Sequence, residues 1–300
     1  MVSAPDPKTE LFWLPLDLSH TRVVSGRLAG RVLTWPARTK DGLRLRDCFP
    51  APPGWMYGSW DLSQIELRLA AGFSQDKLML KAFWDGLDLH QQSASALFGV
   101  PYEQVDKLSQ RTPTKTVSYL VLYGGGEDKL FTELKIMGVQ GFDRPASGKI
   151  IRDWLELYEG LDRYITRQTE KSRARGYAET WTGRRRYLPG MNLIGRHWPC
   201  SKLREEAERQ GFNMEIQGGA QDLLKECEVR VMEVKKDLNA MGVGFEPCLQ
   251  LHDEVVALVK KEHWEVTNSF MRAAMQDGVV RWGVPLECEG KMADTWGGLK

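Results

Sequence analysis

The segment Arg111-Thr-Pro-Thr-Lys115-Thr-Val-Ser-Tyr119-Leu-Val-Leu-Tyr123-Gly124 reads as one helix with a chemically uneven surface. Four residues advance an α-helix by about 400°, so positions 111, 115, 119 and 123 drift about 40° per step and share a face over about 18 Å. The order along that face is cation, cation, aromatic, aromatic. Pro113 suits the first turn and Gly124 supplies a stop. A triphosphate needs cations and a nucleobase needs a flat apolar surface, so the stripe has the makings of a nucleotide site. A surface helix with solvated cations and core-packed tyrosines would show the same spacing, and periodicity alone leaves both readings open.

Towards the N-terminus, residues 1–60 are broken by Gly26, Gly30, Pro36, Gly42 and Pro50-Ala-Pro-Pro-Gly54, with many interspersed Arg and Lys. A short strand is predicted over 56–60, closed by Asp61, with a helix over 64–71. The pattern from 75 to about 170 is mostly helical, interrupted at Gly124-Gly-Gly126 and over 138–148. Towards the C-terminus, runs at 177–181 and 184–188 flank Thr182-Gly183 as a hairpin. A helical stretch over 201–239 carries an expected break at Gly218-Gly219. Strands over 245–251 and 255–259 then flank a three-residue tip, His252-Asp253-Glu254, and a last helix lies near 262–277. The class is α+β.

Asp61 and Asp253 fall at strand ends, where two carboxylates can approach closely. Such a pair repels unless a cation lies between, and oxygen-rich sites favour Mg²⁺. Two metals about 3.5–4 Å apart stabilise both the attacking and the leaving oxygen of a phosphoryl transfer. Taken singly, each acid also fits a solvated turn, and His252 a structural hydrogen-bonder.

Bulk properties narrow the classes without choosing one. The 300 residues are 42% hydrophobic and 27% charged, ordinary for a globular chain. With 41 Lys+Arg against 40 Asp+Glu, the net charge of +1 gives nothing in favour of nucleic acid, since a protein that coats DNA is usually more basic, and any such case rests on where the charges sit. Five scattered cysteines without a CxxC pair argue against structural zinc and a disulfide framework. No apolar run reaches bilayer-spanning length and 1–10 does not resemble a secretory signal, so no membrane and an intracellular location are expected.

Together these segments resemble the family A DNA polymerases, the bacterial DNA polymerase I and bacteriophage-type group. Asp61-Leu-Ser-Gln-Ile-Glu-Leu-Arg68 resembles the first palm motif. Arg111-x₃-Lys115-x₃-Tyr119-x₃-Tyr123-Gly124 resembles the fingers-helix motif, and Leu251-His252-Asp253-Glu254 the second palm motif. Lesser matches come in order: Arg38-Thr-Lys-Asp-Gly42, Asp88-Leu-His90, Gly183-Arg-Arg, Tyr187-Leu-Pro189 and Glu208-Arg209-x₃-Asn213-x₃-Gln217-Gly218. The ordered combination is more specific than any one motif.

The resemblance implies a right-hand palm, an antiparallel sheet with helices, plus helical fingers: palm over 1–74 and 197–300, fingers over 75–196. It implies a DNA-directed DNA polymerase core that adds dNMPs to a primer 3′-hydroxyl with two Mg²⁺ ions, Mn²⁺ being a substitute. Asp61 and Asp253 would bind the metals, helped by the Leu62 carbonyl, with Glu254 nearby. Arg111, Lys115 and His90 would hold the triphosphate, Lys115 also protonating the leaving group. Tyr119 would lie beside the deoxyribose and Tyr123 near the template base. Glu66 would exclude a ribose 2′-hydroxyl, and Gln64 would line that pocket. Arg209, Asn213, Gln217 and His252 would touch primer-template DNA, as would Arg27, a position Arg31 can also align with.

Leu62 departs from the usual tyrosine, Trp60 stands where small residues are common, and Tyr119 where many relatives carry phenylalanine. The resemblance then implies readier acceptance of dideoxynucleotides. Only 25 residues precede Gly26-Arg27-Leu28, where relatives carry a thumb and often an exonuclease. The expectation is a chain without thumb or proofreading, either minimal and of low processivity or completed by a second polypeptide. Single-subunit RNA polymerases are the nearest rival, which Glu66 and the His-Asp-Glu tip disfavour. A non-catalytic DNA-binding subunit is the rival from another class.

Overall fold

The computed structural model describes residues 45–193, 198–276 and 282–299. Arg27, Arg31 and the 38–42 motif lie outside the described residues. The strands are β1 (Trp55–Leu62), β2 (Tyr177–Glu179), β3 (Arg185–Tyr187), β4 (Phe245–Leu251), β5 (Glu254–Lys260) and β6 (Cys288–Ala293). The helices through the middle of the chain are α1 (Ile65–Ser74), α2 (Lys77–Trp84), α3 (Leu89–Phe98), α4 (Thr112–Leu122), α5 (Glu127–Ile136), α6 (Arg144–Leu157) and α7 (Glu159–Arg175). Then come α8 (Trp198–Asn213), α9 (Gly219–Ala240) and α10 (Trp264–Gln276). The fold is α+β.

The described residues form two compact units, one of 45–63, 221–276 and 286–299, the other of 64–193, 198–220 and 282–285. Segments 64–74 and 197–220, which the sequence-based division groups with the palm, thus fall in the helical unit where they are described.

In the first unit the strand order is β4-β5-β1-β6, antiparallel throughout. The central strand β5 is buried along 254–259, which is why it reads as a continuous apolar run. Trp60 is 0% exposed. It stacks on Trp264 with ring centroids 5.5 Å apart, meets Phe245 edge-on and donates its Nε1–H to Asn268 Oδ1 at 3.0 Å. Glycine makes room for so large a ring: a Cβ on Gly58 would lie 2.4 Å from the Trp60 ring, and one on Gly290, the register partner of Trp60, would lie 2.0 Å from Asn268 Oδ1. The unusual tryptophan is therefore a core residue, and Leu62 is buried with it.

Three expectations need correction, and one strand was not foreseen. Asp61 does not close β1, because the strand continues through Leu62 to pair with Cys288 of β6. The β4–β5 turn has two residues rather than three: Glu254 is inside β5, buried and opposite Leu251. Strand β6 has no counterpart in the sequence reading. Its Glu-Gly-Lys alternation hides a half-exposed edge strand whose partner lies more than two hundred residues earlier. The Gly218-Gly219 break is a π-helical turn, Met214–Gly218, that joins α8 to α9.

The second unit is helical, with the β2–β3 hairpin. Asp76, Asp88 and Asp143 cap α2, α3 and α6 by accepting backbone N–H bonds. A π-helical turn, Lys107–Arg111, precedes α4. Arg111 therefore sits just before α4 and Tyr123 just after it, with only Lys115 and Tyr119 inside the α-helix proper. No helix among the described residues is long and apolar enough to cross a membrane.

Candidate active site

In the sheet unit the acids converge because of register. Asp61 of β1 lies opposite Glu254 of β5 on one side and Glu289 of β6 on the other. Directly opposite residues point to the same face, so the acids share one. Glu254 lies beneath, buried, accepting from the Ser59 hydroxyl. Asp61 is exposed and Asp253 half-buried in the two-residue turn. That turn is held against β1 by the Leu62 N–H, which donates to the Asp253 carbonyl at 3.2 Å. Gln250 Nε2 also donates to the His252 carbonyl at 3.3 Å, and His252 takes a left-handed φ of 58°.

The donors the site offers are carboxylates, and the Cys288 thiol near Asp61 is buried. Burial, and then the Asp61 charge, push the Cys288 thiol up to about 12, so it remains a neutral thiol. Among the described residues no group of three or more His, Cys, Asp or Glu forms a closed metal cage. Two carboxylates without a cage fit Mg²⁺, which keeps waters and borrows further oxygens from a substrate's phosphates.

In the helical unit the stripe proves continuous. Asp88 caps α3, taking N–H bonds from His90 (2.9 Å) and Gln91 (3.0 Å), and its other oxygen accepts from Arg111. Burial pushes the Asp88 carboxyl up, but the Arg111 hydrogen bond overrides it and holds the acid below the usual range. His90 is 2% exposed, with Nδ1 3.2 Å from Ser118 Oγ. The Ser118 hydroxyl is donated to the Thr114 carbonyl at 2.8 Å, so Oγ is left to accept from Nδ1–H. Nε2 has no partner. Burial, with the Arg111 and Lys115 charges adding to it against Asp88, pushes the ring down to about 4.

Aromatic contacts continue the series: His90 to Tyr119 at 5.6 Å, Tyr119 stacked on Tyr123 at 6.3 Å. Tyr123 donates its hydroxyl to Glu66 Oε2 at 2.6 Å, and Glu66 is only 5% exposed. Gln64, in left-handed conformation at the start of α1, leaves its buried Oε1 without a hydrogen-bond partner. Lys115 is exposed. The Arg209 side chain packs on the end of α4: a Cβ on Gly124, whose φ is +66°, would lie 2.5 Å from Arg209 Cγ. Asn213 precedes the π-turn Met214–Gly218 and Gln217 lies within it, both half-exposed.

The helical unit thus brings Glu66, His90, Arg111, Tyr119 and Tyr123 into one chain of contacts, with Lys115 on the same helix, and the sheet unit joins Leu62, Asp61, Asp253 and Glu254. Sequence reasoning assigned no role to Asp88 or Ser118. The signal for Asp88 was its N-cap position two residues before His90. For Ser118 it was the spacing of three residues from Lys115 and seven from Arg111, which sets it beside the cations on the helix.

A family model described as DNA polymerase family A matches residues 18–298. The chain is 34% identical over 299 residues to a thermostable DNA polymerase I of Thermus aquaticus, covering 97% of this chain and 34% of the relative. It is 36% identical over 281 residues to that of Thermus thermophilus, covering 93% of this chain and 32% of the relative. The chain thus spans about a third of the length of these curated relatives. Among solved structures, it is similar to the POL domain of Pol1 from M. smegmatis in complex with DNA primer-template and dNTP. The TM-score is 0.82 and the identity 29%, covering 95% of this chain and 48% of the other. On the match of nearly its whole length, the chain belongs to DNA polymerase family A.

Proposed function

We propose that the chain is the palm and fingers of a template-directed DNA-dependent DNA polymerase, transferring dNMPs to a primer 3′-hydroxyl. The observation that carries this is the convergence of Asp61 and Asp253 at the β1–β5 end of the sheet, tied by the Leu62 N–H. The similar POL domain, bound to primer-template and dNTP, supports the same substrates here. The palm would be the sheet unit and the fingers the helical segment around α4.

Asp61 and Asp253, with the Leu62 carbonyl, would hold divalent metal, which when bound supplies the charge that lowers the barrier to in-line displacement. The remaining work falls to the chain's own groups. Arg111, Lys115 and His90 hold the triphosphate, so the primer hydroxyl attacks an oriented α-phosphate and pyrophosphate leaves. Lys115, exposed and cationic, gives its proton to that leaving group. Tyr119 and Tyr123 offer faces to sugar and base. Glu66, fixed by the Tyr123 hydroxyl, blocks a 2′-hydroxyl, its side chain held in place rather than free to swing aside. Arg209, Asn213, Gln217 and His252 contact the duplex.

The test is primer extension by the isolated chain with Mg²⁺. Wild type extends the primer with dNTPs, and Asp253→Ala abolishes extension while retaining duplex binding. Extension that survives Asp253→Ala sinks the assigned role, and equal use of rNTPs sinks the DNA specificity. An isolated chain that extends only with a second, duplex-gripping polypeptide would be one half of a split enzyme.

A further inference from the structure

The π-turn Met214–Gly218 has two unlike faces. Asn213 and Gln217 are half-exposed, whereas Met214, Glu215, Ile216 and Gly218 are buried. Glu215 is a carboxyl 5% exposed with no part in the proposed chemistry. Tyr164 of α7 donates its hydroxyl to Glu215 Oε2 at 3.0 Å. Gln168, one helical turn on, turns its Nε2 to Oε1 (3.2 Å) and Oε2 (3.3 Å). The far end of the turn is held by the hairpin: Arg184 donates to the Gly218 carbonyl and Trp181 Nε1 to the Gly219 carbonyl, each at 3.0 Å. A π-turn frees carbonyls from the regular ladder and stands only where outside groups fix it.

We propose that Glu215 is a positioning residue, whose hydrogen bonds to Tyr164 and Gln168 lock the π-turn so that Asn213 and Gln217 are presented together to duplex DNA. This rests on the DNA-binding reading of those two side chains. Glu215 lies between them in sequence and points the opposite way, so its anchorage sets the backbone from which both project. The carboxylate form accepts from both partners, while the neutral acid gives up one acceptor site.

Burial raises Glu215 to about 7, against the Tyr164 hydrogen bond and the charges of Lys171, Arg167 and Arg175 on α7. Burial keeps Tyr164 a neutral donor. The other elements packed here bring Phe73 and Phe212 rings against Tyr164, and Arg184, engaged at Gly218. Lock and grip therefore titrate together near neutrality.

Fluorescence anisotropy of a labelled primer-template, read from pH 6 to 8 with the full chain, tests this. Wild type is expected to bind roughly threefold or more tightly at pH 8 than at pH 6, as coupled groups of one network do. Glu215→Gln keeps the acid-side affinity throughout, and adds nothing to an Asn213→Ala/Gln217→Ala double variant. Tyr164→Phe, which removes only a hydroxyl, behaves as Glu215→Gln does, and stands in for it if that variant does not fold. Glu215→Gln that binds as wild type at every pH overturns the proposal. So does an equal loss with and without Asn213 and Gln217. Wild type that binds no duplex at any pH overturns the DNA reading as well, whereas binding with an indifferent Glu215 leaves that reading standing.

Discussion

His90 shows how burial, aided by the charges of Arg111 and Lys115 and opposed by Asp88, sets a protonation state. Its ring, pushed down to about 4, stays neutral in the folded protein at pH values where an unfolded chain, at 6.5, takes up a proton. Stability is therefore lost as pH falls from about 6.5 to about 4, by about 3 kcal/mol. Nitrogen NMR of the histidine should find the Nδ1–H tautomer and no imidazolium until near pH 4; titration near 6.5 would refute this. Glu215 has the opposite sign: its folded value of about 7 against 4.5 keeps a proton that the unfolded chain releases. The penalty grows as pH rises from about 4.5 to about 7 and then stays. Glu215→Gln should stabilise the protein by about 3 kcal/mol at pH 8 and by almost nothing at pH 4.5, read by urea unfolding. At Tyr119 the resemblance predicts that Tyr119→Phe lowers dideoxynucleotide incorporation relative to dNTP, measured by chain termination. Loss of the hydroxyl without that change would remove the assigned role.

At the scale of the element, α4 and its flanks carry the stripe. Periodicity lined up Arg111, Lys115, Tyr119 and Tyr123, and across the π-turn before α4 the Arg111 and Lys115 charges both bear on His90, which meets Tyr119, itself stacked on Tyr123. Glycine was harder to read. Gly124 ends the helix as expected, but also for a reason invisible in sequence, the Arg209 stem lying against its Cα. Gly124→Ala combines a left-handed φ with that clash and should cost about 1–3 kcal/mol in thermal unfolding. A wild-type melting curve would show that Arg209 gives way freely. Gly218 misled: it marks a close approach, since a Cβ there would lie 2.9 Å from Thr180 Cγ2, rather than a helix end.

For the whole molecule, each compact unit gathers segments far apart in the chain, and the acid site depends on that gathering. Strands β1, β5 and β6 bring Asp61, Glu254 and Glu289 level from three separate segments. Asp61 and Asp253 stand on backbone that hydrogen bonds of the sheet and its turn already hold. Chelation with EDTA should abolish primer extension yet leave far-ultraviolet circular dichroism and melting temperature unchanged. Unfolding on chelation would mean that the metal holds the sheet together.

The amino-acid sequence alone determined the α+β class, the stripe along α4, and the acids of the two palm motifs, because periodicity and short motifs are local properties of a chain. Only the tertiary structure decided that Asp61 lies inside a strand, that Glu254 is buried on Ser59, and that Trp60 is sheltered by Gly58 and Gly290. It alone joined Tyr123 to Glu66, His90 to Ser118, and Glu215 to Tyr164. Such pairings depend on register and on packing between segments distant in sequence, and the free energy that selects them exists only once those segments meet.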